Sequence, residues 1–241
     1  KNREDLTRAR HRLIFNEFLE IQIAFRSMKE EINNDPLPFF LDDNRMNQVQ
    51  ELLNILPFQL TLSQKEVLEE LYEDIRRSKQ INRLIQGDVG SGKTIIAVIM
   101  LFICLLNGYQ GVMMVPTAIL AEQHYEYISN LFSKLNIGAR VGLMTKFKTT
   151  KQRLEYLHKI AAGEYNLIVA THGVLQEDVE FSNLGLVITD EQHRFGVRQR
   201  KQLSNKGKDP HIIVMSATPI PRTTSLVLYG DLEVSTINAL P

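Results

Sequence analysis

The chain is 241 residues long, which is room for one large domain with an appendage or for two small domains. Its 28 basic and 28 acidic side chains cancel to a formal net charge of zero, so any nucleic-acid contact has to come from local patches rather than bulk charge. The composition is that of a globular protein and excludes disordered and low-complexity classes. The single cysteine, Cys104, excludes an intramolecular disulfide and fits a reducing, cytoplasmic setting. The charged start, Lys1 to Arg12, is followed by no apolar core, so no signal peptide is expected. The most apolar run, Ile95–Leu106, is shorter than the roughly 20 residues a membrane span needs, and reads as a buried helix.

In chain order, Arg3–Glu31 is predicted as one helix. Leu13, Phe15, Phe18, Leu19, Ile21, Ile23 and Phe25 form its apolar side, opposite Arg8, Arg10, Arg12, Glu17 and Glu20. The segment from Asn33 to Pro38 ends it, a second short helix is predicted over Asn44–Asn54, and Pro57 closes that stretch. The expected division is therefore a helical linker or strut over residues 1–55 and an α/β domain over 56–241. From Leu60 onward, helices (Ser63–Arg77, Lys93–Leu106, Ala118–Leu135, Lys151–Ala162) alternate with short apolar runs. Those runs are Arg83–Gln86, Gly111–Val115, Arg140–Met144, Leu167–Ala170, Leu186–Thr189 and Ile212–Met215. Continuous apolar strands alternating with helices predict a parallel sheet covered on both faces.

Gly87-Asp88-Val89-Gly90-Ser91-Gly92-Lys93-Thr94 matches the P-loop pattern, with an apolar strand before it and a helix after it. Glycines let backbone N–H groups turn inward around phosphate oxygens, and the helix N-terminus adds the positive end of its dipole. Lys93 is placed to reach the β- and γ-phosphates of ATP, and the Thr94 hydroxyl to ligate Mg²⁺. A second strand, Leu184 to Thr189, runs into Asp190 and Glu191. A carboxylate at the end of a neighbouring parallel strand can reach the metal that the P-loop holds. Asp190 is assigned to Mg²⁺, directly or through water, and Glu191 to orienting and deprotonating the attacking water.

Upstream, Thr61 and Gln64 have capping-box spacing, as do Ser63 and Glu66. The residues leave two readings of Gln64 open, a helix cap or a bidentate partner for the adenine edge. Phe58 likewise could stack on the base or act as a hydrophobic staple. Two further strand exits, Val115-Pro116-Thr117 and Ala170-Thr171-His172-Gly173, set threonine hydroxyls and free N–H groups where a nucleic-acid phosphate could sit. Taken alone, each reads as a helix cap. A last buried strand runs into Ser216-Ala217-Thr218, whose hydroxyls could relay the state of the nucleotide site.

P-loop, Asp190-Glu191-Gln192-His193 and Ser216-Ala217-Thr218, in this order and spacing, resemble motifs I, II and III of superfamily-two helicases. Thr61 and Gln64 resemble the Q motif, Val115–Gln123 motif Ia and Thr171–Gly173 motif Ib. The resemblance implies a RecA-like fold, a coupling role for His193 and for Ser216, Ala217 and Thr218, and DNA contacts at Pro116, Thr117, Thr171, His172 and Gly173. His193 could otherwise be an ordinary core histidine. Gly87–Thr94, Asp190–Val197, Ser216–Thr223 and Tyr229–Ser235 together resemble the RecG family. The transcription-repair coupling translocases share part of this pattern. They typically carry an aromatic where Ser91 stands and Glu where Gln192 stands, and Leu56-Pro57-Phe58 also fits RecG better.

The resemblance implies an ATP- and Mg²⁺-dependent helicase acting on branched or duplex DNA, monomeric, with a DNA-splitting wedge domain before this region. It also implies a second RecA-like lobe after it, whose arginines complete the ATP site. An ATP-binding switch of the same fold that does not move on DNA is a further reading, and Glu191 argues against it, since a switch needs no water-activating base. Two basic stretches are candidate phosphate contacts or solvated surface: Lys146, Lys148, Lys151 and Arg153, then Arg194, Arg198, Arg200, Lys201, Lys206 and Lys208.

Overall fold

The computed structural model describes residues 3–31, 39–135, 137–190, 202, 206–217 and 232–238. Helix α1 (Arg3–Glu31) belongs to one compact unit, and the α/β body, described from Phe39 onward, forms the other. Within α1, Leu13, Phe15, Phe18, Leu19 and Ile23 are all exposed.

The body contains α2 (Asp43–Asn54), α3 (Leu62–Arg76), β1 (Asn82–Gly87), α4 (Lys93–Leu106), β2 (Gln110–Met114), α5 (Ala118–Ser133) and β3 (Val141–Met144). There follow α6 (Thr150–Ala161), β4 (Leu167–Ala170), a short 3-10 turn (His172–Leu175), β5 (Leu184–Asp190), β6 (His211–Ser216) and β7 (Glu233–Ile237). The strands form one sheet in the order β3-β4-β2-β5-β6-β1-β7, and every pairing is parallel. All strands therefore end at the same edge.

Side chains alternate across the sheet as a period of two requires. Met113, Val169, Leu186, Ile188 and Ile213 face one core with α2 to α5, whereas Val112, Met114, Ile168, Ala170 and Val187 face a second core with Leu157 and Ile160 of α6. Both faces are thus covered, as the unbroken apolar strands predict. Helix α4 is buried from Ile95 to Cys104, which explains why its sequence is apolar all round. No described helix is long and apolar enough to cross a membrane.

Two features differ from the sequence expectation. The boundary at residue 55 lies inside the body: Val49 and Leu52 of α2 are fully packed in the core, and Arg45 Nε donates to the Leu106 carbonyl at 3.3 Å. Asn107 at the end of α4 also accepts from the Phe40 N–H at 2.7 Å and donates to its carbonyl at 3.1 Å. Residues 39–55 are therefore a layer on α4, and helix periodicity alone cannot tell a linker from such a layer. The other feature is β7, which was not predicted. It is short, lies at the sheet edge, and mixes Glu233, Ser235 and Thr236 with Val234 and Ile237.

A buried charge cluster places β7. Arg83 on β1 donates to Asp74 of α3 (3.1 Å from Nε), to Glu70 (2.8 Å), to Ser235 (2.9 Å) and to Glu233 (3.0 Å), with Arg83 and Asp74 both buried. Lys79 adds a bond to Glu233. Removing one member of such a cluster leaves uncompensated charge behind. Arg83→Met is expected to destabilise the fold by about 3–5 kcal/mol in urea denaturation. Arg83→Met with Asp74→Leu should recover part of that loss. A single-variant loss below about 1 kcal/mol would mean the cluster is only a surface network.

Candidate nucleotide and nucleic-acid edge

The P-loop spans the exit of β1 and the first turn of α4. Gly90 (φ 83°) and Gly92 (φ 82°) take left-handed backbone, which side chains other than glycine rarely adopt. Gly92 is the N-cap of α4 and supplies no side-chain cap, so first-turn N–H groups remain for an anion. A Cβ at Gly92 would lie 2.2 Å from Gln64 Nε2, so a side chain there would displace the Gln64 amide. Val89 at the loop tip is 83% exposed, and Asp88 and Gly90 are exposed with it.

Lys93 is buried at the base of the loop. Its Nζ donates to the Gly87 carbonyl at 2.7 Å and to the Asp88 carbonyl at 2.8 Å. Burial pushes its pKa down, and the negative charges of Asp190 and Asp88 oppose that shift. Asp190 therefore sits within electrostatic reach of the lysine. Ser91 is buried with its Oγ unpartnered.

Gln64 carries both of the structural duties open to it. Its Oε1 accepts from Thr61 N–H at 2.9 Å while Thr61 Oγ1 accepts from Gln64 N–H at 3.3 Å, a complete capping box. Its Nε2 donates to the Ser91 carbonyl at 2.9 Å, tying α3 to the P-loop. The amide has one further N–H and one further lone pair, the complement an adenine edge requires. A pocket of about 430 Å³ opens beside it, lined by Phe58, Gln64, Thr94, His124 and Tyr127 among others. Phe58 is 44% exposed and lines this pocket.

Across the sheet edge, Asp190 ends β5, and β6 lies between β5 and β1. In register, Asp190 is opposite Met215 and Gln86 is opposite Ser216. Buried Ser216 thus stands between the P-loop strand and the strand that carries Asp190, with Ala217 next to it. The Thr94 hydroxyl and the Asp190 carboxylate are hard oxygen donors of the type Mg²⁺ takes beside phosphates and water. Among the described residues no group of three or more histidine, cysteine or acidic side chains could hold a metal ion. Glu191, Gln192, His193 and Thr218 lie outside the described residues.

The other strand exits hold the proposed track contacts. Thr117 caps α5, its Oγ1 accepting from Leu120 N–H at 3.3 Å, with exposed Thr117 next to half-buried Pro116. Thr171 precedes the 3-10 turn that carries His172 and Gly173 without a side-chain cap. Since β2 pairs with β4, these two exits are neighbours. The basic stretches are less uniform than the sequence suggested. Arg153 is held by Asp178 (2.8 Å from Nη2 to Oδ1), and Lys206 donates to the Gln176 and Val179 carbonyls at 2.6 and 2.9 Å. Lys146, Lys148, Lys151 and Lys208 are exposed, while Arg194, Arg198, Arg200 and Lys201 lie outside the described residues.

Sequence reasoning passed over His124. Its Nε2 lies 3.6 Å from Asp190 Oδ2, with side-chain exposures of 14% and 22%. The signal was present: Ala121, His124, Ile128 and Leu131 follow helix spacing, and a histidine interrupts the buried stripe.

A family model described as DEAD/DEAH box helicase matches residues 61–227. The "ATP-dependent DNA helicase RecG" of Bacillus subtilis (strain 168) is 46% identical over 244 residues, which covers 100% of this chain and 35% of that protein. The protein of the same name from Synechocystis sp. (strain ATCC 27184 / PCC 6803 / Kazusa) is 43% identical, covering 100% of this chain and 29% of its own length. The solved "Structure of RecG bound to three-way DNA junction" matches with a TM-score of 0.83 and 40% identity, over 100% of this chain and 32% of that one. The chain spans about a third of the length of these relatives.

Proposed function

Because the chain belongs to the DEAD/DEAH box helicase family, we propose that it is the RecA-like first motor lobe of a RecG-type ATP-dependent DNA helicase that remodels branched DNA in recombination and repair, such as stalled forks and Holliday junctions. The observation that carries this reading is the division of one sheet edge. The exits of β1, β6 and β5 present Gly87–Thr94, Ser216 and Asp190, and the adjoining exits of β2 and β4 present Thr117 and Thr171. A nucleotide and a DNA strand held at neighbouring strand ends can exchange free energy through the strands and helices between them.

In this reading the P-loop N–H groups and Lys93 hold the ATP phosphates, and Thr94 and Asp190 hold the Mg²⁺ that neutralises their charge. Phe58 and Gln64 receive the adenine. Glu191 takes the proton of the attacking water, and His193, Ser216, Ala217 and Thr218 relay the outcome. Pro116, Thr117, Thr171, His172 and Gly173 contact the DNA backbone. A second lobe supplies the remaining arginines, and α1 is the strut toward a wedge domain, in a monomer working in the cytosol.

Glu191→Gln separates binding from chemistry, because it keeps shape and hydrogen bonding while removing the base. In a full-length protein it is expected to bind ATP and forked DNA with parental affinity and to lose roughly 10²–10⁴-fold in turnover. Hydrolysis at the parental rate would take the role of base away from Glu191.

A further inference from the structure

The nucleotide half of the sheet edge and the track half meet between β5 and β2, which are adjacent strands. Met114 at the end of β2 is in register with Thr189, the residue before Asp190. One described side chain reaches over this border: His124 comes from α5, the helix that follows β2, and approaches the carboxylate that ends β5. Asp190 has the same parity along β5 as Leu186 and Ile188, which face the core that α5 helps to build, so helix and carboxylate share one side of the sheet.

We propose that His124 is a positioning residue for Asp190. By donating from Nε2 to Oδ2, it orients the carboxylate so that Oδ1 is presented to the metal that accompanies the nucleotide. The proposal rests on the nucleotide-site reading above and deepens it.

Three observations support it. The 3.6 Å separation needs only a few tenths of an ångström, or a small side-chain rotation, to become a hydrogen bond. Both groups are largely shielded from water, so the contact is not averaged away by solvent. The backbone that carries His124 is fixed, since Ala121, Ile128, Leu131 and Phe132 of α5 are buried in the core. A ligating carboxylate whose second oxygen accepts a hydrogen bond is held in one rotamer, and loss of such a partner typically costs roughly 10–100-fold in metal affinity. His124 also lines the pocket beside Thr94, the other metal donor, so a merely structural histidine and a nucleotide-touching one have to be told apart.

The test measures binding of a fluorescent ATP analogue to the full chain, with and without Mg²⁺, for the parent, His124→Ala, His124→Gln and Lys93→Ala, after thermal melting shows that each is folded. His124→Ala is expected to raise the Mg²⁺ concentration needed for half-maximal tight binding about tenfold while leaving affinity in EDTA unchanged. His124→Gln, whose amide N–H falls near the position of Nε2, is expected to restore most of the Mg²⁺ dependence. An unchanged Mg²⁺ midpoint in His124→Ala overturns the proposal. So does an equal loss of affinity with and without Mg²⁺, which would make His124 a wall of the nucleotide pocket. Lys93→Ala separates the two levels. If it binds as the parent does, the nucleotide-site reading itself has failed; if it loses binding while His124→Ala keeps its Mg²⁺ midpoint, only the positioning role has failed.

Discussion

ATP turnover by this chain alone is expected to fall roughly 10³–10⁵-fold short of that of a full-length RecG protein, the range that one supplied arginine is worth in phosphoryl transfer. Such transfer depends on positioning and on neutralising charge that spreads over the moving group. The described edge supplies one such cation, Lys93, already seated among the P-loop carbonyls. Most described arginines of the body are paired elsewhere, Arg45 with Asp42, Arg76 and Arg77 with Glu73, Arg83 with Asp74, and Arg153 with Asp178, while exposed Arg140 precedes β3, at the end of the parallel sheet opposite the P-loop. Arg222, in the Ser216–Thr223 stretch that extends beyond the motif III resemblance, lies outside the described residues. In the proposed reading, translocation also requires this lobe to close against a second one. Steady-state hydrolysis by the chain, with and without forked DNA, beside the Bacillus subtilis protein, checks this. Near-equal and DNA-stimulated turnover by the chain would establish a self-contained ATPase.

Lys93→Ala is expected to weaken Mg-nucleotide binding about 10²-fold while the fold survives. In the proposed reading the ammonium is the point charge nearest the terminal phosphates, and charge-assisted hydrogen bonds contribute about 1.5–3 kcal/mol each. The same ammonium donates to the Gly87 and Asp88 carbonyls. Asp88 is exposed, so water can take over its carbonyl, and the cost to folding is small. Burial, the largest influence on the Lys93 pKa, lowers it, and bound phosphates restore the preference for the charged form. Affinity should therefore fall at alkaline pH in the parent and lose that dependence in Lys93→Ala. Calorimetric titration with unchanged affinity would overturn the P-loop assignment.

The parallel sheet, six of its seven strands and the P-loop were legible in the sequence because each is local. Apolar runs such as Leu167–Ala170 and Leu184–Thr189 are strands buried on both faces, and Gly90 and Gly92 mark left-handed turns whatever surrounds them. Asp190 at the end of β5 and the threonines after β2 and β4 were legible as strand exits for the same reason. What a strand exit meets was not legible. Strand order is a property of packing, and only the order β3-β4-β2-β5-β6-β1-β7 sets Ser216 between the P-loop and Asp190 and makes the β2 and β4 exits neighbours. Tertiary structure likewise settled that Arg153 pairs with Asp178 rather than standing free, because a run of basic residues does not reveal a carboxylate 25 positions away. It made 39–55 a layer of the body, since an amphipathic helix such as α2 does not name the surface that buries it. It placed β7 through Arg83, a charge buried only because Asp74, Glu70 and Glu233 converge on it from α3 and β7. His124 belongs to the same class: the sequence shows a histidine in an apolar stripe, and only the packing of α5 against the β5 end brings it to Asp190.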